Sequence, residues 1–97
     1  MTDFRVVLTD HAVSDLEGLP SKIRERIQHD LESMAGDPFP SGMQIKRLKS
    51  FRPPVYRLRS GEFRVLYMIE EETIIVLRII DRKLLDRIIK RLKLQKS

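Results

Sequence analysis

The stretch Tyr56-Arg57-Leu58-Arg59-Ser60-Gly61-Glu62-Phe63-Arg64-Val65-Leu66-Tyr67 constrains the fold of this chain more than any other. Two alternating segments flank a Ser-Gly pair, the pattern of a β-hairpin. With Ser60 and Gly61 as a two-residue loop, Arg59 opposes Glu62, Leu58 opposes Phe63 and Arg57 opposes Arg64. A register slid by two residues keeps every side chain on the same face, because the side-chain period of a strand is two. One face then carries Arg57, Arg59, Glu62 and Arg64, with Val55 and Leu66 further along it. The other carries Tyr56, Leu58, Phe63, Val65 and Tyr67, an apolar surface for helices to cover. Opposed arginines repel, so stability alone does not select them, whereas an anion between them removes the conflict.

The flanking segments supply that cover. Phe4 to Leu8 is a short β-rich run, and Thr9 or Asp10 caps a helix bearing Ala12, Val13, Leu16 and Leu19. Gly18 and Pro20 interrupt it, and Ser21 offers a second cap. Ile23, Ile27, Leu31 and Met34 then recur at helical spacing as far as Gly36. Asp37 to Gly42 is loop, and Gln44 to Lys49 reads as extended, with Ile45 and Leu48 inward and Lys46, Arg47 and Lys49 outward. Arg52-Pro53-Pro54 leads into the hairpin.

After Ile69 a turn at Glu70 to Glu72 precedes Thr73 to Ile80, apolar nearly throughout except at Arg78. A three-residue turn pairs Ile69 with Thr73 and Arg64 with Arg78, which keeps Arg78 out of the core and adds a third arginine to the basic face. From Asp81, an N-cap, the period becomes helical, with Leu84, Leu85, Ile88, Ile89 and Leu92 forming a stripe. The expected fold is α+β: an N-terminal strand and helical hairpin, an antiparallel sheet of about four strands with helices over one face, and a C-terminal helix. Residues 1–97 form one domain, too short for two cores.

Charge is unevenly spread. Residues 1–43 carry a net −4, whereas 44–66 and 78–97 each carry +6. Two basic blocks in the C-terminal half suit a polyanion or an acidic protein partner. The absence of cysteine excludes disulfides, thiol catalysis and cysteine-ligated metal. No apolar run approaches the roughly 20 residues of a membrane span, and no signal segment opens the chain, so a cytoplasmic location is expected. His11 and His29 lie in the helical hairpin, away from the arginine face, and make no metal site.

The chain resembles the RelE/ParE toxin superfamily of toxin–antitoxin systems over most of its length. The likeness rests on Leu19-Pro20 in the helical hairpin, Ile45-Lys46-Arg47-Leu48, the central Tyr56–Tyr67 stretch and Ile75-Val76-Leu77-Arg78-Ile79-Ile80-Asp81-Arg82-Lys83. The central stretch is its specific part. The resemblance implies an mRNA interferase, a metal-independent endoribonuclease with no cofactor, acting on mRNA in the ribosomal A site. There the RNA's own 2′-hydroxyl attacks the adjacent phosphate.

By that resemblance Arg57, Arg64 and Arg82 are the catalytic set, with Lys46, Arg47, Lys49, Arg59, Arg78 and Lys83 as RNA contacts. Arginine stabilises a charged phosphorane but is a poor general base. Asp81 stands where many relatives have histidine, and Leu84 to Asp86 where a tyrosine is common. That departure keeps two alternatives open: a ParE-like inhibitor of DNA gyrase, and a silent relative that only binds its antitoxin. In all three the implied partner is an acidic, partly disordered antitoxin, with the Leu/Ile stripe of the last helix as one surface for it to cover in a hetero-oligomer.

Overall fold

Tyr56–Ser60 and Phe63–Glu70, the latter with Val65, Leu66 and Tyr67 buried in succession because both faces there are covered, form β3 and β4 at the centre of the sheet. They are preceded by β1 (Arg5–Leu8), α1 (Asp10–Glu17), α2 (Ser21–Met34) and β2 (Ile45–Arg47). After them come β5 (Thr73–Asp81), a single 3-10 turn at Arg82–Leu84, and α3 (Leu85–Lys96). The computed structural model describes residues 3–96. Among these residues no helix is long and apolar enough to cross a membrane.

The sheet has five strands in the order β1-β5-β4-β3-β2. It is mixed rather than purely antiparallel, because β1 lies parallel to β5, Arg5 opposite Thr73 through Leu8 opposite Val76. That pairing joins the two ends of the chain, so no local turn pattern announces it. Thr9 then leaves β1 and caps α1, its Oγ1 accepting from the Ala12 N–H at 3.2 Å. The cap expected at Ser21 does not form. Pro20 occupies the N-cap position of α2, with no side-chain bond.

Helices lie on both faces of the sheet, not on one. Ala12 and Leu16 of α1 and Ile27, Leu31 and Met34 of α2 pack on Leu58, Val65, Tyr67, Ile74, Val76 and Ile79. Tyr67 anchors this core, with its ring stacked on Tyr56 at 5.5 Å and its hydroxyl donating to the Pro38 carbonyl at 2.7 Å. On the second face Ile88 of α3 closes over Phe51, Val55, Leu66 and Ile80, joined by Leu85, Ile89 and Leu92. The α3 stripe is therefore spent on the sheet, and only Leu84 and Leu94 at its ends stay exposed.

Both β-turns differ from the expected ones by one or two residues. The β3–β4 loop is Gly61-Glu62, which sets Ser60 opposite Phe63 and Arg59, not Arg57, opposite Arg64. Gly61 has φ +58°, a conformation that favours glycine. The β4–β5 loop is Glu71-Glu72, with Glu70 opposite Thr73. A bulge then follows, because Tyr67 pairs with Val76 but Leu66 with Arg78, leaving Leu77 as the extra residue.

Candidate functional site

The β2–β3–β4 ladder fixes which charges share a face. Lys46 stands opposite Arg57, Arg57 opposite Leu66, and Arg59 opposite Arg64. Directly opposed residues point the same way, so these four basic side chains lie on the second face, beside the part that α3 covers. Leu66 and Ile80, opposite Arg57 and Arg64, are buried under α3 and seat the arginines against an apolar floor.

Arg57 is half-buried. Its Nη2 donates to the Met43 carbonyl at 2.9 Å, while its buried Nε has no hydrogen-bond partner among the described residues. Arg64 Nη1 donates to the carbonyls of Gly61 at 3.0 Å and Phe63 at 2.9 Å. Among the described residues neither guanidinium pairs with a carboxylate; backbone carbonyls orient both. Burial lowers the pKa of Arg57, and the neighbouring charges of Arg64 and Arg59 lower it further. Arg64 is lowered by burial and then by Arg59 and Arg82, against smaller opposing effects of Glu62 and Asp81. The field at this site is therefore predominantly positive, relieved only in part by Glu62 and Asp81, and is held in place before any ligand arrives.

Arg82 joins the rim from the end of β5. Its N–H donates to the Glu62 carbonyl at 2.9 Å, and its Nε donates to Glu62 Oε1 at 2.8 Å. Both side chains of that pair are largely exposed, so the contact orients Arg82 more than it stabilises the fold. Asp81 caps the 3-10 turn by accepting from the Lys83 N–H at 2.9 Å, and Lys83 itself is exposed. Lys49 is exposed in the turn after β2.

Of the expected contacts, one falls on the other face and one is already paired. Arg47 stands opposite Tyr56, so the ladder assigns it to the other face. Arg78 opposes Leu66, not Arg64, so the ladder leaves it on the expected face with a different partner. There it forms a two-pronged ion pair with Asp15, Nε to Oδ2 at 2.8 Å and Nη2 to Oδ1 at 3.1 Å. Asp15 Oδ2 also accepts from the Ile79 N–H at 2.9 Å, closing the stretch of β5 beyond the end of β1. The hydrogen bond to Asp15 raises the pKa of Arg78 against the effect of burial. Arg78 is thus tied into the fold by Asp15, its charge paired with a carboxylate where those of Arg57 and Arg64 are held by carbonyls.

Sequence reasoning did not find the tethers. The Met43 carbonyl lies in a loop with no pattern of its own, and Asp15 reads as an ordinary polar position of α1. Glu62 was legible as an acidic neighbour of the arginines, and the structure makes it the partner of Arg82. His11 and His29 are exposed on α1 and α2, and no three His, Asp or Glu side chains gather as a metal site among the described residues. A site of this kind binds and stabilises anionic oxygens. Two carboxylates, Glu62 and Asp81, act on Arg64 electrostatically.

Comparison with known proteins gives a consistent likeness. The family described as "ParE toxin of type II toxin-antitoxin system, parDE" matches residues 6–93. A Methanocaldococcus jannaschii protein assigned as toxin RelE1 is 34% identical over 82 residues, covering 82% of this chain and 90% of its own. Among solved structures, the RelB–RelE antitoxin–toxin complex of Methanococcus jannaschii superposes with a TM-score of 0.66 at 27% identity, covering 84% of this chain and 95% of that one. The archaeal RelE–RelB complex of Pyrococcus horikoshii gives a TM-score of 0.71 at 24% identity, covering 84% and 97%.

Proposed function

We propose that this chain, which belongs to the ParE toxin family of type II toxin–antitoxin systems, acts by cleaving mRNA on the ribosome. It is a RelE-like toxin, and the finer reading concerns its target and chemistry. The observation that carries it is the cluster of Arg57, Arg59 and Arg64 on one face, with Arg57 and Arg64 tied to carbonyls and unpaired with carboxylates. A stable fold gains nothing from desolvated, mutually repelling guanidinium groups, whereas a phosphodiester does.

In this reading the scissile phosphate sits against Arg57 and Arg64, with Arg82 reaching it from the end of β5. The 2′-oxygen forms a bond to phosphorus as the bond to the 5′-oxygen breaks, giving a 2′,3′-cyclic phosphate and a 5′-hydroxyl. The 2′-hydroxyl proton leaves to a carboxylate or to water, and the 5′-oxygen takes one up. Arginines hold the charge that grows on the phosphoryl oxygens but do not move these protons. Lys46, Lys49, Arg59 and Lys83 contribute phosphate contacts along the strand. The acidic partner is an antitoxin, in keeping with the toxin–antitoxin complexes among the similar structures.

A second reading is a gyrase-directed toxin. The family match to ParE favours it, as does the lack of histidine or tyrosine in the 81–86 segment. Expression without the antitoxin separates the two: cuts within translated mRNA support the first, and intact transcripts with inhibited supercoiling support the second.

A further inference from the structure

Across the hairpin tip from the arginine face, on the α2 side of the sheet, lies a cleft of different character. It opens between α2 and the Gly61-Glu62 turn, holds about 700 Å³, and is bordered by Arg26, Asp30, Gln44, Arg59, Gly61 and Glu62. Its lining includes three carboxylates, with Asp37, against two arginines, so it does not attract phosphate as the neighbouring cluster does. Arg59 belongs to both. It stands opposite Arg64 in the ladder and lines the cleft, and the Gly61 whose carbonyl orients Arg64 belongs to the same lining, so the two sites meet at the hairpin tip.

Three details give the cleft a built interior. Ser60, only 2% exposed, donates to Asp30 Oδ2 at 2.6 Å and fixes that carboxylate. Arg26 Nε approaches the same oxygen at 3.8 Å, leaving Oδ1 without a protein partner among the described residues. A Cβ placed on Gly61 would lie 3.4, 3.5 and 3.6 Å from Arg26 Cζ, Nη1 and Nε, so the guanidinium presents its flat face to the turn. A guanidinium plane is a stacking surface for a base.

We infer that this cleft receives a guanine base adjacent to the phosphate held by Arg57 and Arg64, with Asp30 reading its edge and Arg26 stacking on its ring. The inference rests on the RNA reading above. A carboxylate only accepts hydrogen bonds, and guanine alone offers it two adjacent donors, N1–H and the N2 amine. Adenine, cytosine and uracil each place an acceptor in that pair of positions and meet the carboxylate with repulsion. The arginine cluster would then position the strand, and Asp30 would select the base.

The test is titration of the isotopically labelled full chain with GMP, AMP, CMP, UMP and inorganic phosphate, followed by amide chemical shifts. All five probes should move amides near Arg57 and Arg64. Only GMP should also move the Asp30 turn of α2, binding about tenfold tighter than AMP. Asp30→Asn should reverse the order, because an amide complements adenine, and exposed Arg26→Ala should weaken GMP without changing the order. Equal binding of GMP and AMP by the unaltered chain overturns the inference, as does guanine preference that survives Asp30→Asn. Cleavage of ribosome-bound mRNA is scored separately. Cleavage without guanine preference removes only the base site, and guanine binding without cleavage removes only the nuclease reading.

Discussion

Arg59 stands directly across the β3–β4 ladder from Arg64, two like charges paired where a carboxylate would stabilise the sheet. Arg57, one pair further along the same face, feels both of them.

The first prediction follows from that arrangement. A cation whose pKa is lowered on folding destabilises the fold at every pH below its folded value, which here includes all ordinary conditions. Replacing Arg57 and Arg64 with glutamine should therefore raise stability, by about 0.5–1 kcal/mol, while removing anion binding. Thermal unfolding with and without added phosphate checks both parts. The parent chain should gain melting temperature with phosphate and the double variant should not.

Asp15 carries a different load. It pairs with Arg78 and also accepts from the Ile79 N–H, all in a half-buried setting. Asp15→Ala leaves a cation and a backbone donor unsatisfied, at a cost of about 2–4 kcal/mol. A melting temperature lower by roughly 10 °C or more is expected from calorimetry.

Tyr67 supplies the pH dependence. Burial, with smaller effects of Tyr56 and Asp37, raises its pKa well above 10.0. The unfolded chain releases this proton near pH 10 while the folded chain retains it, so stability falls as pH rises past about 10. The loss is about 1.4 kcal/mol per pH unit for this one group. Chemical denaturation from pH 9 to 11 should show a steeper decline in the parent chain than in Tyr67→Phe.

The two-faced layering also predicts a local outcome. Ile88 closes the second cluster over Leu66 and Ile80, while α1 and α2 pack on the opposite face. Ile88→Ala should cost about 2–4 kcal/mol. Hydrogen exchange should rise first in α3 and leave α2 protected.

The hairpin's faces were legible because strand periodicity survives any even slip of register, so Arg57, Arg59 and Arg64 were placed together although their partners were not. Arg78 was given the right face but the wrong partner, because a bulge at Leu77 has no signature in an apolar run such as Thr73–Ile80. The parallel pairing of β1 with β5 was hidden for a related reason, since contacts between distant segments follow from packing and not from turns. The position of α3 was hidden too. Its stripe of Leu85, Ile88, Ile89 and Leu92 says that it packs, but not on which face. At the site itself, residue types were readable, and the tethers to Met43, Gly61 and Phe63 were not, because carbonyls carry no sequence identity.

The central claim is that Arg57 and Arg64 grip a scissile phosphate. Induce the chain without its antitoxin and map the 5′ ends of cellular mRNA, beside an Arg57→Gln, Arg64→Gln variant shown to be folded. The account predicts growth arrest with new cuts inside translated messages for the parent chain, and normal growth with intact messages for the variant. Arrest with intact messages, or unchanged cutting by the variant, would contradict it.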